Sequence, residues 1–208
     1  MQPLPKSRIL TFAVIVAVGC ALDLWTKTWI FDRLGMPGQE PAIVLWPGVF
    51  GLTTSLNEGA LFGLGQGMTF VFAGLSIVAA AGITYWLFAL GAARDWVLTI
   101  SLAAIMGGIF GNLYDRLGLP GLAWNYPAER LGEPVYAVRD WLHFRLEAAD
   151  GDVLFDWPVF NIADCLLVSG SILLVLYGLK YPVPGSDQPR TSLTMCPDTS
   201  VSRKSRPE

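Results

Sequence analysis

The sequence predicts an all-α membrane protein of four transmembrane helices, with a small extracytoplasmic β-like subdomain between helices 1 and 2. Composition is the first observation behind that fold class: 53% of the 208 residues are hydrophobic and only 15% are charged, and the mean hydropathy is +0.48, outside the usual balance of a soluble domain. The second is segmental. A bilayer span needs about 20 mostly apolar residues, because roughly 30 Å of hydrocarbon is crossed at 1.5 Å per residue. Four stretches meet that requirement: Ile9–Phe31, Met68–Gly91, Trp96–Leu113 and Val159–Leu179. The third is that the four stretches hold no proline and few charges, Asp23, Lys27 and Asp164, the rest falling in the joining segments and the chain ends.

The first stretch follows Lys6 and Arg8, as a cleavable signal peptide would, but its helical pattern continues past Cys20 through Asp23 and Lys27 to Ile30. It therefore reads as a retained span. An even number of spans puts both termini on one side. Lys6 and Arg8, Arg94 in the second connection, and Lys180, Arg190, Arg203, Lys204 and Arg206 after the last span place that side in the cytoplasm. Arginines in the first and third connections are accompanied there by many acids.

In the connection Asp32–Gly67, the runs Ile43–Trp46 and Val49–Leu56 alternate enough to predict short strands near the membrane surface, with Trp46 and Phe50 suited to the interface. In the connection Arg116–Pro158, Gly118, Pro120, Gly121, Pro127, Gly132 and Pro134 predict loop in the first half. One membrane domain, 1–180, is expected. The Pro/Ser/Thr/Asp-rich tail, 181–208, has nothing to bury and reads as disordered and cytoplasmic.

The formal net charge of −3 shows no basic patch, so no nucleic-acid partner is expected. Three cysteines make no disulfide framework: Cys20 and Cys165 lie in apolar runs and Cys196 in the tail. With His143 the only histidine, no metal centre is expected, nor any cofactor.

Ionisable side chains in or near hydrocarbon cost free energy and usually face a bundle interior, where they serve a function. Four constellations qualify. Asp23 and Lys27 lie one helical turn apart and can pair, either as a neutralised anchor or as part of a site. In Asn57-Glu58-Gly59-Ala60-Leu61-Phe62-Gly63 the glycines permit close backbone approach and Asn57 can donate and accept, although a plain turn has the same composition. In Gly107–Arg116, Gly107 and Gly111 have the spacing of close helix packing. Packing leaves Asn112, Asp115 and Arg116 unexplained, and Arg116 could hold Asp115 in a bidentate pair. Last come Val138-Arg139-Asp140-Trp141 and Phe160-Asn161-Ile162-Ala163-Asp164. The span limits put Asp164 about five residues, roughly 7 Å, inside the last span, with Asn161 on the same helix face.

In that order and at those span edges, the blocks Asp23…Lys27, Asn57–Phe62, Gly107–Arg116, Val138…Asp140 and Phe160–Asp164 resemble the lipoprotein signal peptidases, the type II signal peptidases of bacteria. The resemblance runs from about Ile9 to Leu179. It implies an aspartic endopeptidase of the bacterial cytoplasmic (inner) membrane whose active site is near the extracytoplasmic face. It implies Asp140 and Asp164 as the catalytic pair, Asp115 and Arg116 as supports, and Asp23, Lys27, Asn57, Gly59, Asn112 and Asn161 as residues that shape the pocket or hold substrate. The implied substrate is a prolipoprotein whose cysteine carries a diacylglyceryl group, cut just before that cysteine, and the implied inhibitor is globomycin. Membrane lipids are the other expected partner, and no oligomer is required.

The chain departs from the family pattern at three points. The interval from Arg116 to Asp140 is longer than the usual link, Arg139 stands where an apolar residue is common, and Leu61 replaces a usual alanine. Asp150, Asp152 and Asp156 are fallback partners for Asp164 and read better as solvated loop charges; His143 reads as an interfacial histidine.

Two carboxyls held together titrate apart, so one can keep a proton while the other ionises. The ionised one then activates water and the other donates its proton to the carbonyl oxygen and afterwards to the leaving amine. The competing reading is a small proton- or ion-coupled transporter with Asp23, Asp115 and Asp164 as a relay, but no repeated halves accompany it. A scaffold packed through Gly107 and Gly111 would leave Asp140, Asn161 and Asp164 without a role.

Overall fold

A computed structural model describes residues 4–59 and 64–181. The predicted disordered tail, Cys196, and the Ala60–Gly63 part of the second constellation, Leu61 included, lie outside the described residues.

Four helices are long and apolar enough to cross a membrane. α1 spans Lys6–Leu34, α2 spans Thr69–Thr84 and continues through a wider turn at Tyr85–Ala89, α3 spans Trp96–Arg116 and α4 spans Ile162–Lys180. α1 and α4 bury little of their apolar surface inside the protein: Val14, Val18, Leu22 and Trp25 on α1, and Val168, Ile172 and Val175 on α4, are exposed outward, as lipid-facing side chains are. α3 is the central helix, the most buried of the four, packed against α1, α2 and α4.

Glycines let α3 sit there. A Cβ at Gly107 would come within 3.5–3.7 Å of the α1 backbone at Val16, Gly19 and Cys20, and one at Gly108 would collide with the Ala163 carbonyl on α4. Gly170 returns the approach from α4: its Cβ would lie 2.6 Å from the Ser101 carbonyl oxygen. The small-residue spacing on α3 thus serves two neighbours at once.

At one end of the bundle the connections build a four-stranded antiparallel sheet in the order β1-β2-β3-β4. β1 (Ile43–Trp46) and β2 (Phe50–Asn57) are the strands expected in the first connection. The expectation that the β-subdomain belongs to that connection alone is corrected, because β3 (Val138–Glu147) and β4 (Val153–Asp156) come from the third connection and complete the sheet. β3 carries no strand signal in the sequence, because its first four residues, Val138 to Trp141, are all buried and include two charges, so the alternation that marks a half-solvated strand is missing.

The sheet sits on the bundle through Ile30 and Leu34 of α1, Leu52 of β2 and Trp141 of β3, which share one buried cluster. The opposite end is marked by Arg8 stacked over the Trp96 ring at 3.3 Å and by the Tyr177 hydroxyl donating to Asp95 at 3.1 Å. The start of α1, the start of α3 and the end of α4 therefore meet away from the sheet.

The span limits are also corrected. α1 continues to Leu34, so the Asp23–Lys27 pair lies well inside the helix, about two to three turns from its end. α4 begins at Ile162, not Val159, which removes Asp164 from the depth assigned to it and puts it in the first turn.

Candidate active site

The first turn of α4 is fixed by a capping box. The Asn161 carbonyl side chain accepts the Asp164 N–H at 2.9 Å, and the Asp164 carboxylate accepts the Asn161 N–H at 3.2 Å. This reciprocal pair satisfies two backbone donors that a helix start leaves open and puts a negative side chain where the helix dipole favours it. Asp164 is held by secondary structure in the first turn of the last helix, half-buried.

Asp140 reaches the same place from the sheet. It lies in β3 opposite Ser55, and Val138, two residues before it on the same face, is opposite Asn57. β3 then carries the chain back to α4, because Phe160 bridges Leu142: the Trp141 and Leu142 N–H groups donate to the Phe160 carbonyl at 2.9 and 2.8 Å, and Phe160 N–H returns the bond to Leu142 at 3.0 Å. The residue after Phe160 is Asn161, whose amide nitrogen donates to Asp140 at 2.6 Å.

One asparagine therefore touches both acids, bonding Asp140 with its side chain and Asp164 with side chain and backbone. Asn112 of α3 adds a second link, donating to Asp164 at 2.9 Å while its carbonyl oxygen accepts from Asn161 at 3.2 Å and from the Lys27 ammonium at 3.0 Å. Asp140 is 2% exposed. Burial, and then the charge of Asp164, push its carboxyl up to about 8, against hydrogen bonds from Asn161 and Asn57 that pull the other way.

Behind the acids lies a fully paired charge set. Lys27 is 2.7 Å from Asp23 and 3.0 Å from Asp115, all three without exposure. Asp23 also accepts the Ala163 N–H of α4 at 2.8 Å, tying α1 to the first turn of α4. The expected Arg116–Asp115 pair is corrected: Arg139 holds Asp115, through its backbone N–H at 3.0 Å and its guanidinium at 2.9 and 3.0 Å. The departure at 139 thus has a structural reason. Two cations, Lys27 and Arg139, balance two anions, Asp23 and Asp115, as burial of charge requires.

Arg116 instead donates to the Gly59 carbonyl at 3.1 Å. Gly59 sits in a turn where its N–H donates to the Asn57 side chain at 2.9 Å, and any Cβ there would press on the backbone of Leu64 and Gln66. All ten residues singled out from the sequence, Asp23, Lys27, Asn57, Gly59, Asn112, Asp115, Arg116, Asp140, Asn161 and Asp164, fall in this one connected region. His143 does not; it pairs with exposed Asp156 at 2.7 Å on the outer part of the sheet. Asp150 accepts the Asp152 N–H in the β3–β4 turn. Sequence reasoning gave no role to Glu58 and Arg130, which form a bidentate pair beside the Asn57 turn.

An apolar cleft of about 300 Å³ opens beside Asp164, walled by Trp157, Phe160, Cys165, Val168 and Ile172. Its walls continue down the outward face of α4, so it joins the carboxylate to the lipid side of the bundle.

Comparison with known proteins bears on what such a site belongs to. The family model for signal peptidase (SPase) II matches residues 15–180. The chain is 45% identical over 175 residues to a lipoprotein signal peptidase of Rhodopirellula baltica, covering 83% of this chain and 73% of that one. It is 33% identical over 164 residues to a lipoprotein signal peptidase of Desulfitobacterium hafniense, covering 78% and 89%. A solved bacterial membrane enzyme has a similar fold, with a TM-score of 0.66, 24% identity, and coverage of 87% of this chain and 94% of that one.

Proposed function

The chain belongs to the signal peptidase II family, and from that premise we propose that Asp140 and Asp164 are the paired acids with which this membrane protease removes signal peptides from prolipoproteins. The observation that carries the assignment is Asn161, which hydrogen-bonds both carboxyls and so holds them as one unit.

The two acids divide the proton work by their surroundings. Asp140, with its carboxyl near 8, keeps its proton at neutral pH. Asp164 supplies the carboxylate, accepting N–H bonds from Asn112 and Asn161 at the N-terminus of α4. Asp164 takes a proton from a water placed between the acids; the oxygen of that water attacks the scissile carbonyl carbon as Asp140 gives its proton to the carbonyl oxygen. Collapse of the tetrahedral intermediate breaks the C–N bond, the amine nitrogen takes the proton held by Asp164, and the intermediate's hydroxyl returns one to Asp140. Water is the only co-reactant.

The cleft at Asp164 supports a substrate whose cysteine is diacylglyceryl-modified. An acyl chain lies along Val168 and Ile172 at the lipid boundary while the bond before the cysteine rests at the acids. Asp23, Lys27 and Asp115 build the wall behind them. Because Asp23 is paired with Lys27, and Asp115 with both Lys27 and Arg139, neither offers a free acid for the proton relay of a transporter. Both termini are assigned to the cytoplasm, with the sheet and the acids at the extracytoplasmic face, by the charge bias of the connections.

Incubating the purified protein with a synthetic diacylglyceryl peptide tests this reading. Cleavage on the N-terminal side of the lipidated cysteine is expected, blocked by globomycin and absent in Asp140→Asn and Asp164→Asn proteins that still insert in membranes. Full activity in either variant, or proton flux with no cleavage in the parent protein, would overturn it.

A further inference from the structure

The segment between α3 and β3 contributes neither to the sheet nor to the acid pair, yet it is built as an arm with its own frame. Trp124 N–H donates to the Glu133 carbonyl, Gly132 N–H to Trp124 and Val135 N–H to Leu122, each at 2.9 Å, so the arm doubles back on itself. Near its tip, on a short turn at Ala128–Arg130, the Arg130 guanidinium lies 4.2 Å over the Trp124 ring and its Nε is 3.2 Å from Glu133. A flexible side chain is thereby set before it makes its outward contact. Its two terminal nitrogens then meet both oxygens of Glu58, at 3.0 and 2.9 Å.

Glu58 is the middle residue of the Asn57–Gly59 turn, and that turn is gripped from three directions. Arg116 of α3 holds the Gly59 carbonyl at 3.1 Å, the Thr69 hydroxyl at the start of α2 holds the Glu58 carbonyl at 3.0 Å, and the arm holds the Glu58 carboxylate. The residue so placed is Asn57. Its side-chain oxygen is taken by the Gly59 N–H, and the same side chain also hydrogen-bonds Asp140.

We propose that the Glu58–Arg130 pair is a brace through which the arm positions Asn57 against Asp140, making Glu58 and Arg130 positioning residues for peptide cleavage. The proposal rests on reading Asp140 as one of the acid pair. A bidentate pair of this exposure, one fifth for Glu58 and one third for Arg130, has a modest effect that is specific in kind. Asn57 draws the Asp140 proton affinity down, so a loosened turn lets it rise.

The test compares Glu58→Gln, Arg130→Gln, their double variant and Arg130→Lys as full-length proteins cutting the diacylglyceryl peptide across pH, with thermal melting to confirm folding. Each Gln variant should lower kcat about fivefold, the effect of one partly exposed bidentate pair, leave KM nearly unchanged, and move the alkaline limb of the profile to higher pH. The double variant should be no worse than either single one, and Arg130→Lys should recover part of the loss. Parent kcat with the parent alkaline limb in both Gln variants, or losses that multiply in the double variant with the limb unmoved, would overturn the brace. An Asp164→Asn protein run alongside separates the cases: if it stays active the acid-pair reading fails first, and if it is dead while the Gln variants are unaffected, only the brace fails.

Discussion

Burial and the neighbouring Asp164 hold the Asp140 carboxyl near 8, far above the ordinary 3.8, and a group that works as a proton donor stops working once the pH passes that value. Cleavage should therefore fall as pH rises through about 8, with the slope of a single proton, when initial rates are followed on a lipidated peptide. The sign for stability follows from the same shift: a folded value above the unfolded one gives a contribution fully present below about pH 4 and lost as pH climbs to about 8. Replacing either acid by asparagine should cost at least about a hundredfold in kcat, the usual size of a lost proton-transfer group. Arg139→Leu makes a different prediction. It leaves Asp115 facing Lys27 alone in a closed interior, and breaking a buried pair from one side costs about 3–5 kcal/mol, which should appear as a large fall in the thermal midpoint in detergent. The residue types were legible from the sequence, because paired carboxylates and asparagines at span edges have few other uses. Their partners were not: Arg116 and Arg139 stand 23 positions apart, and it is the more distant one, brought beside the end of α3 by β3, that reaches Asp115.

Among the elements, α3 is the one whose sequence and packing agree most closely. Its glycines mark the two faces where neighbouring backbones approach, Gly107 toward α1 and Gly108 toward α4. Gly108→Val should push α4 away at Ala163, one residue from Asp164. About 1–3 kcal/mol of stability should be lost, and the activity loss should exceed what the melting shift alone explains. The spans and the first two strands were readable because apolar length and alternation are local properties. β3 was not, since a strand buried on both faces beside a helix loses the period that would announce it. The depth of Asp164 was misjudged for a related reason. Hydropathy sees Val159 and Phe160 as span, whereas the Asn161 cap sets the helix start one residue later, at Ile162.

For the whole molecule, the sheet, the acids and the arm gather at one end of the bundle, while Arg8, Trp96 and Tyr177 gather at the other. A reporter that is active only in the cytoplasm should give signal when fused after Lys180 and none when placed in the arm near Glu129; the reverse pattern would invert the assigned orientation. The four-span plan could be read from the length and placement of the apolar stretches, but the joining of two distant connections into one sheet depends on pairing between segments that the second and third helices separate, and no local pattern encodes that.

The neutral set of Lys27, Arg139, Asp23 and Asp115 also has a bearing on biogenesis. α1 leaves the ribosome carrying both members of its own pair, so it can be handed to the bilayer as a self-neutralised unit. Asp115 emerges 24 residues ahead of Arg139. A nascent chain stalled in that interval holds Asp115 without Arg139, one of its two buried cationic partners, and such a chain should be the form that membrane quality control recognises and degrades.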